Sequence, residues 1–572
     1  MKFRWVFNGS QTEAVRALAD RAGVSPLLAQ CLINRNLSDP ERAARFLEPR
    51  LKYLADPFLL PNMDKAVERL AQARTNGERL VIFGDYDVDG VTSTALLTEA
   101  LTKLGWKVEY YLPHRIEEGY GLSEAGVENC LKKHPVSLLL AVDCGSSSGT
   151  VIRALRAQRV DVVVLDHHQV AEAIPEAVAL VNPQLAPEDH PSFRELCSVG
   201  LAFKLVHALV KRGRAEGLAA ETDFDLRPYL DLVALGTIAD LVPLTGENRI
   251  LTSAGLLRLN ESARPGIIAL KEVARIGSSV GSYEVGFQLG PRLNAAGRIE
   301  NALKALDLLL TQNHSQAKSL AEELDSANRQ RQEMERQIFT EAVATVRSRF
   351  DPTRNLVVVE GQQSWHIGVV GIVASRVLQE FYRPTIIVGG DGGYWRGSGR
   401  SIDGFDLTGA LRECKELLIR HGGHAMAAGV TLAPDKLESL RERLNEVARR
   451  MIPPEKLQPS LRIDAEVTLK DMTFPQIREL EKLEQTGIGN PQVQFVSRNV
   501  RVTQAPQRFG AEKKHLRFKV SDGAGTQSMI WWNAPEGANL PPDNFDVAFT
   551  SELNEYNGTL GIQLRLLDWR VT

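Results

Sequence analysis

Cysteine is scarce in this 572-residue chain. Its five cysteines, Cys31, Cys130, Cys144, Cys197 and Cys414, are scattered with no C-x-x-C pair. That pattern argues against a structural zinc site and suits reduced thiols in a cytoplasm. Long apolar runs are missing too: none approaches the ~20 residues of a membrane span, so no membrane association is expected. The opening residues, MKFRWVFNGSQTEAVR, lack the apolar core of a secretory signal, and none is expected. Charge of one sign is also missing, since 68 Lys and Arg against 71 Asp and Glu leave a net −3. Such a balance does not announce a nucleic-acid partner, nor does it exclude one, because a local basic groove suffices. There is no internal repeat and no low-complexity segment. Glycine and proline vanish between Asn301 and Asp351, where a highly charged stretch predicts one long helix bridging two domains.

What is present reads as a multidomain globular chain. The length predicts three or four domains, and 43% hydrophobic with 24% charged residues is ordinary for soluble protein. Residues 1–50 read as an N-terminal segment of short helices, with Ser38-Asp39-Pro40 as a helix start. From about 78 to 182 the strands RLVIFG, WKVEYYL, VSLLLAVD, VDVVVLD and AVALVNP alternate with amphipathic stretches, which predicts a parallel sheet covered by helices. Residues 197 to about 310 look mainly helical. Strands at NLVVVE and PTIIVGG mark a second α/β unit. After the linker MIPPEKLQPS, alternating segments such as HLRFKVS and GIQLRLLDW predict a small all-β domain.

The chemistry begins at GDYDVDG, where Asp85, Asp87 and Asp89 crowd in front of Gly90. A calcium loop would place a bidentate glutamate at position 96, but Leu96 stands there, and a strand rather than a helix precedes the acids. A solvated acidic turn is the plain alternative. Against it, other acids repeat the placement. Asp143 ends the strand VSLLLAVD; Asp166 ends VDVVVLD and is followed by His167 and His168; Asp240 lies inside the apolar helical run LVALGTIADLVPL. Strand ends are where ligands bind in open α/β sheets, and a buried lone carboxylate is costly unless paired or metal-bound. Carboxylates with one or two imidazoles suit Mg²⁺ or Mn²⁺. More carboxylates than one ion needs imply two ions, the arrangement that serves in-line displacement at phosphorus.

The ordered set D-x-D-x-D-G, AVDCG, LDHH and TIADLVPL, with LPHRIEEGYGL, LCSVGLAFKL, QLGPRLNAAGRIENA, SWHIGVVGIVASR, GSGRSIDGFDL and HGGHAMAAG, resembles the DHH phosphoesterase superfamily. Within it the resemblance is to the RecJ family of single-strand-specific exonucleases and spans nearly the whole chain. It implies a fold of class α/β: a DHH domain with a parallel sheet (51–310), a long connecting helix (311–350), a DHH-associated α/β domain (351–452) and a C-terminal OB-fold barrel (453–572). It implies that Asp87 and Asp89 are direct ligands of separate ions, that Asp85 is accessory, that Asp143 bridges, and that His167 and Asp240 complete the second ion. Asp166 would orient His167 through its other nitrogen, and His168 would face the scissile phosphate.

Substrate contacts follow from the same resemblance. Arg115, Arg298, Ser398 and Arg400 match positions that hold a 5′-terminal phosphate, for which the arginine fork is suited. Tyr120 would stack on a base, and His424 in HGGHAMAAG would face the metals across a groove clamped by two domains. In the all-β domain, Arg508, Lys513, Lys514, His515, Arg517 and Lys519 surround Phe509 and Phe518 as a strand-binding surface. Two positions depart from the family pattern: Thr486 stands where a Phe is usual in EQTGIGNP, and His114 where an Asn is commoner in LPHR. The implied activity is 5′→3′ hydrolysis of single-stranded DNA to 5′-mononucleotides in recombinational repair and mismatch excision. The implied enzyme is a cytoplasmic monomer, with a single-strand-binding protein and a RecQ-type helicase as partners. Two alternatives remain. A phosphodiesterase of short oligonucleotides or cyclic dinucleotides would usually lack the N-terminal and OB additions. A non-catalytic replication scaffold would have lost metal ligands, whereas every acid of the set is present.

Overall fold

The structure is a computed structural model that describes the chain apart from residues 1–2, 10–11, 116, 120, 188–192, 278, 539, 542–543, 557–558 and 572. It divides into two compact units: residues 41–329 with 483–491, and residues 1–40 with 330–482 and 492–572.

The first unit is built on a five-stranded sheet in which every pairing is parallel. In spatial order its strands are Lys107–Tyr111, Arg79–Phe83, Leu138–Val142, Asp161–Leu165 and Ala179–Val181. All five strands expected from the sequence form. Leu138–Val142 is buried along its whole length, because helices cover both faces and leave no polar alternation to read. Chain order along the sheet reverses between Arg79–Phe83 and Leu138–Val142, so their C-terminal ends flank the topological switch point, where such sheets leave a crevice for ligands. Helices Val88–Lys103, Ser198–Ala215 and Leu230–Ala239 pack together over this sheet, and their apolar side chains join one core with Leu80, Ile82, Leu140 and Val163.

The helix His314–Arg349 has 36 residues, about 54 Å at 1.5 Å per residue. Ala317, Ala321 and Leu324 in its first half belong to the core of the first unit. Ile338, Ala342, Val343 and Val346 in its second half join a core with Val370, Val373 and Ile387.

The second unit contains a mixed five-stranded sheet, ordered Arg420–His424, Ala427–Leu432, Tyr394–Arg400, Thr385–Asp391 and Val358–Gln362. Three of these strands escaped the sequence reading. YWRGSGR, RHGGH and AAGVTL are rich in glycine, which strands normally avoid. The same unit carries a closed barrel in which Phe495–Phe509 pairs with both His515–Ser521 and Phe545–Tyr556, and Thr526–Trp531 runs parallel to Thr559–Val571. That strand order is the Greek-key closure of an OB-fold. The N-terminal segment is not only helical. Its strand Arg4–Phe7 pairs in parallel with Ser460–Ile463, and Trp5 Nε1 donates to Asp568 Oδ2 at 2.9 Å. No helix among the described residues is long and apolar enough to cross a membrane.

Candidate metal centre and phosphate contacts

The acids gather at the switch point for local reasons. Asp87 caps the helix Val88–Lys103, its side chain accepting the amides of Asp89 and Gly90 at 3.0 and 3.2 Å. Gly90 serves close approach: a Cβ there would stand 2.5 Å from the Asp85 carbonyl oxygen and 2.7 Å from its nitrogen. Asp89 is gripped by the start of the helix Ser198–Ala215, with Oδ2 accepting Ser198 N at 2.7 Å and Oδ1 accepting Val199 N at 2.8 Å. A helix N-terminus offers free amides and positive potential to such an anion. The Ser198 hydroxyl donates to Asp143 Oδ1 at 2.9 Å. Asp143 takes left-handed backbone, φ 65°, a strain that clusters at functional sites when it occurs outside glycine.

His167 Nε2 sits among three carboxylates, 3.4 Å from Asp240 Oδ2, 3.5 Å from Asp143 Oδ1 and 3.9 Å from Asp89 Oδ2. That nitrogen, Asp240 Oδ2 and both oxygens of Asp85 are buried without a hydrogen-bond partner. Two sequence readings are corrected here. Asp240 is not inside its helix but at its C-cap, since the helix ends at Ala239, and the chain turns there through left-handed Leu241. Asp166 pairs with His168, not His167. Its Oδ1 meets His168 Nδ1 at 2.8 Å, and its Oδ2 accepts Ser146 N at 2.9 Å. Past the end of an extended strand, residues i and i+2 share a side, so Asp166 meets His168 while His167 turns to the other acids.

The electrostatics follow from crowding. Burial, then the charge of Asp87, pushes the carboxyl of Asp85 up to about 8 and that of Asp89 up to about 7. Asp143 and Asp240 are driven well above the carboxylate range by burial and then by neighbouring acids. Burial and the neighbouring His168 push His167 down to about 4. For His168 burial works downward, but the hydrogen bond and charge of Asp166 outweigh it and carry the imidazole up to about 9. Burial alone would raise Asp166; the hydrogen bond and charge of His168 hold it below the usual range instead. Among the described residues, donor atoms of Asp85, Asp87 and Asp143 lie within 4.8 Å of one another, as do those of Asp143, His167 and His168. Orphaned oxygens, a neutral imidazole and mutually repelling acids fit divalent cations, whose charge relieves the repulsion and whose coordination completes the donors.

The substrate candidates fall in both units. Arg115 lies over the Tyr86 ring, 4.9 Å from its centroid. Arg298 belongs to helix Gly290–Ile299, which approaches so closely that a Cβ on Gly297 would stand 2.7 Å from the Tyr86 carbonyl oxygen. Tyr120 lies outside the described residues. In the second unit, His424 is register partner to Ala427, and Ala427 to Arg400. His424, Arg400 and Ser398 therefore share one face, with Gly422 and Gly429 in the row of Ser398 as an open floor. Two strand spacings separate His424 from Arg400, roughly 9–10 Å. Ser398 and Arg400 also border the first turn of helix Val370–Phe381: a Cβ on Gly371 would be 3.1 Å from Ser398 Oγ and 3.3 Å from Arg400 Nη2. Hydroxyl, guanidinium and helix start together suit a phosphate.

On the barrel, Arg517 lies over Phe509 at 5.0 Å, and Phe509, His515 and Trp532 form an aromatic cluster. Lys519 and Lys513 are exposed, Lys514 pairs with Glu512, and Arg508 donates to the carbonyls of Lys513 and Pro535. Phe518 is corrected to a core residue, 1% exposed, because strand alternation sends Leu516, Phe518 and Val520 inward. His114 anchors its own turn, its amide donating to Glu118 Oε2 at 2.8 Å. Thr486 lies in the 483–491 loop, where Ile488 O accepts Leu244 N at 2.8 Å.

Several supporting residues were not read from the sequence: Ser198, Asn182, Asn294 and Cys197. Asn182 donates to Ser146 Oγ at 2.8 Å and to the His168 carbonyl at 2.9 Å, and Asn294 Oδ1 accepts Val88 N at 3.2 Å. Their only signal was a position inside or next to the motifs quoted above.

Comparison with known proteins agrees along the whole chain. The DHH family N-terminal domain matches residues 79–237, the DHHA1 domain 354–450 and the RecJ OB domain 463–568. The single-stranded-DNA-specific exonuclease RecJ of Bacillus subtilis (strain 168) is 36% identical over 580 residues, covering 100% of this chain and 71% of the relative. That of Escherichia coli (strain K12) is 36% identical over 561 residues, covering 95% of each. The crystal structure of RecJ in complex with Mn²⁺ from Thermus thermophilus superposes with TM-score 0.84 at 31% identity, covering 99% of this chain and 79% of that one. With domain matches and full-length likeness in the same order as the folded units, the chain belongs to the RecJ family of DHH phosphoesterases.

Proposed function

We propose that this chain is a metal-dependent exonuclease that degrades single-stranded DNA from the 5′ end to 5′-mononucleotides. The observation that carries the reading is the convergence at the switch point of buried carboxylates with His167 Nε2, several of whose donor atoms have no protein partner. Asp85, Asp87 and Asp143 would hold one Mg²⁺ or Mn²⁺, and Asp89, His167 and Asp240 a second, with Asp143 between them. When bound, the ions supply a nucleophile at neutral pH and offset charge on the phosphoryl oxygens.

The chain's own groups do the rest. The helix start at Ser198 and the Ser198 hydroxyl fix Asp89 and Asp143, as partners behind metal ligands do. Asp166 holds His168 through Nδ1 and favours its protonated form in the metal-free chain, and the imidazole would face the scissile phosphate. Arg115 and Arg298 would bind the backbone beside Tyr86. Ser398, Arg400 and His424 would hold the 5′-terminal phosphate, and so set polarity. The barrel's Arg508, Lys513, Lys514, Arg517 and Lys519 would bind single strand, with Phe509 and Trp532 offering faces for bases. The proposed setting is recombinational repair and mismatch excision in the cytoplasm, as a monomer supplied with single strands by a RecQ-type helicase and a single-strand-binding protein.

The test incubates the protein and Mn²⁺ with single-stranded DNA labelled at either end, beside a blunt duplex and a dinucleotide. Early mononucleotide release from the 5′-labelled single strand alone supports the reading. Preference for the dinucleotide would make the chain a short-substrate phosphodiesterase, and strand binding without cleavage would make it a scaffold. Asp143→Ala should bind strand and stay folded with no turnover; retained cleavage would remove Asp143 from the site.

A further inference from the structure

The proposed centre uses carboxylates and imidazoles, yet a sulfur stands beside two of its carboxylates. Cys197 is completely buried. Its Sγ and carboxylate oxygens of Asp89 and Asp240 all lie within 4.8 Å of one another. Its place is fixed, because Cys197 is the N-cap of helix Ser198–Ala215 and its Sγ contacts Thr237 Oγ1 at 3.3 Å. Two further atoms point to a ligand at this corner. Asp240 Oδ2 and His167 Nε2 are buried without hydrogen-bond partners, 3.4 Å apart, and His167 Nε2 is 3.9 Å from Asp89 Oδ2.

Thiolate sulfur and carboxylate oxygen are both ligands of tetrahedral zinc, and three protein donors leave a fourth position for water. Magnesium and manganese prefer sets dominated by oxygen. We propose that this corner is a thiophilic metal site, at which Zn²⁺ or Cd²⁺ binds through Cys197, Asp89 and Asp240 in competition with Mg²⁺ or Mn²⁺. The proposal rests on the reading of Asp89 and Asp240 as ion-holding acids and adds to it a sensitivity carried by one sulfur. Binding replaces the S–H bond by an S–metal bond. The thiolate keeps the electron pair, the proton leaves to the buffer, and nothing is oxidised. Because divalent affinities rise from manganese towards zinc, the consequence is arrest of the manganese-supported reaction by low concentrations of zinc.

The other sulfurs supply controls. Cys144 follows Asp143 in the chain, but its Sγ faces the Phe83 carbonyl at 4.0 Å, and it belongs to no such donor group among the described residues. Cys31, Cys130 and Cys414 are buried elsewhere.

The experiment titrates the metal-free full chain with Cd²⁺ and follows the ultraviolet thiolate-to-cadmium absorption. The expected result is a saturable band for the parent and for Cys144→Ser, and no band in Cys197→Ser. No band in the parent, or a band intact in Cys197→Ser, overturns the proposal. Should Cys197→Ser fail to fold, zinc-edge X-ray absorption on the parent decides instead. A Zn–S distance of about 2.3 Å supports the site, and a shell of only nitrogen and oxygen overturns it. Neither measurement requires DNA cleavage. A band with no manganese-dependent cleavage would therefore sink the nuclease reading and leave the sulfur site standing.

Discussion

Replacing Asp85 by Asn separates the electrostatic cost of the acidic cluster from its use. Both Asp85 oxygens are buried and unpartnered, and burial with the Asp87 charge lifts its carboxyl from an ordinary 3.8 to about 8. At pH 7 the unfolded chain carries this group ionised while the folded, metal-free chain keeps it mostly protonated. That difference destabilises the fold by about 4 kcal/mol at most. An amide has no proton to lose, although its own unmet hydrogen bonds cost something. The net expectation for Asp85→Asn in chelator is a gain of about 2 kcal/mol, or roughly 4–8 °C in Tm. Cations oppose this gain, because an ion at a hundred times its Kd adds about 2.7 kcal/mol to the parent and less to a variant with a weakened site. Calorimetry on both proteins, with EDTA and with saturating Mn²⁺, gives the four Tm values. A Tm for Asp85→Asn no higher than the parent's in EDTA, or an equal Mn²⁺ shift in both, would refute the reasoning. The pH dependence has a fixed sign. The raised values of Asp85 and Asp89, about 8 and about 7, favour folding only while those groups are protonated. Metal-free stability should therefore fall as pH rises from about 4 to about 8, with a shallower fall in Asp85→Asn.

Three further outcomes are expected. Ser198→Ala removes the hydroxyl on Asp143 but keeps the helix amides on Asp89, and should weaken Mn²⁺ affinity about 10- to 100-fold, read by titration calorimetry; unchanged affinity would deny Ser198 its positioning role. Arg400→Ala should raise KM for 5′-phosphorylated strands far more than for 5′-hydroxyl strands, and an equal rise for both would place the guanidinium elsewhere. Arg517→Ala should weaken strand binding at every sequence and lower the slope of log affinity against log salt by about 0.7, if the side chain meets one phosphate; an unchanged slope would leave Arg517 packed on Phe509 without a phosphate.

The legible parts of the molecule were those whose signal is local. The five parallel strands read directly because β-branched and apolar runs alternate with amphipathic stretches, three of the runs ending in acids, and the long helix read because fifty residues held no breaker. The barrel read from alternation in segments such as HLRFKVS, although that reading put Phe518 on the strand-binding surface when it lies in the core. The glycine-rich strands around Ser398 and His424 did not, because their pairing is set by close backbone approach and not by side-chain preference. At Gly397 a Cβ would stand 2.1 Å from the Ile387 carbonyl oxygen.

The sequence by itself determined the family, the layered α/β architecture and the acids at the strand ends, since a parallel strand carries its functional residue at its own C-terminus. Only the tertiary structure decided which partner each group has. Asp166 and His168 pair because of the direction the chain takes after its strand. Asp240 reaches the cluster from the end of a helix, not its middle. Asp89 is held by a helix that begins 109 residues later. The contacts of Asp89 and Asp143 with the start of the Ser198 helix join residues far apart in the chain, so no local pattern encodes them. The packing that buries the acids brings them together, and burial without partners is what makes them a place for cations.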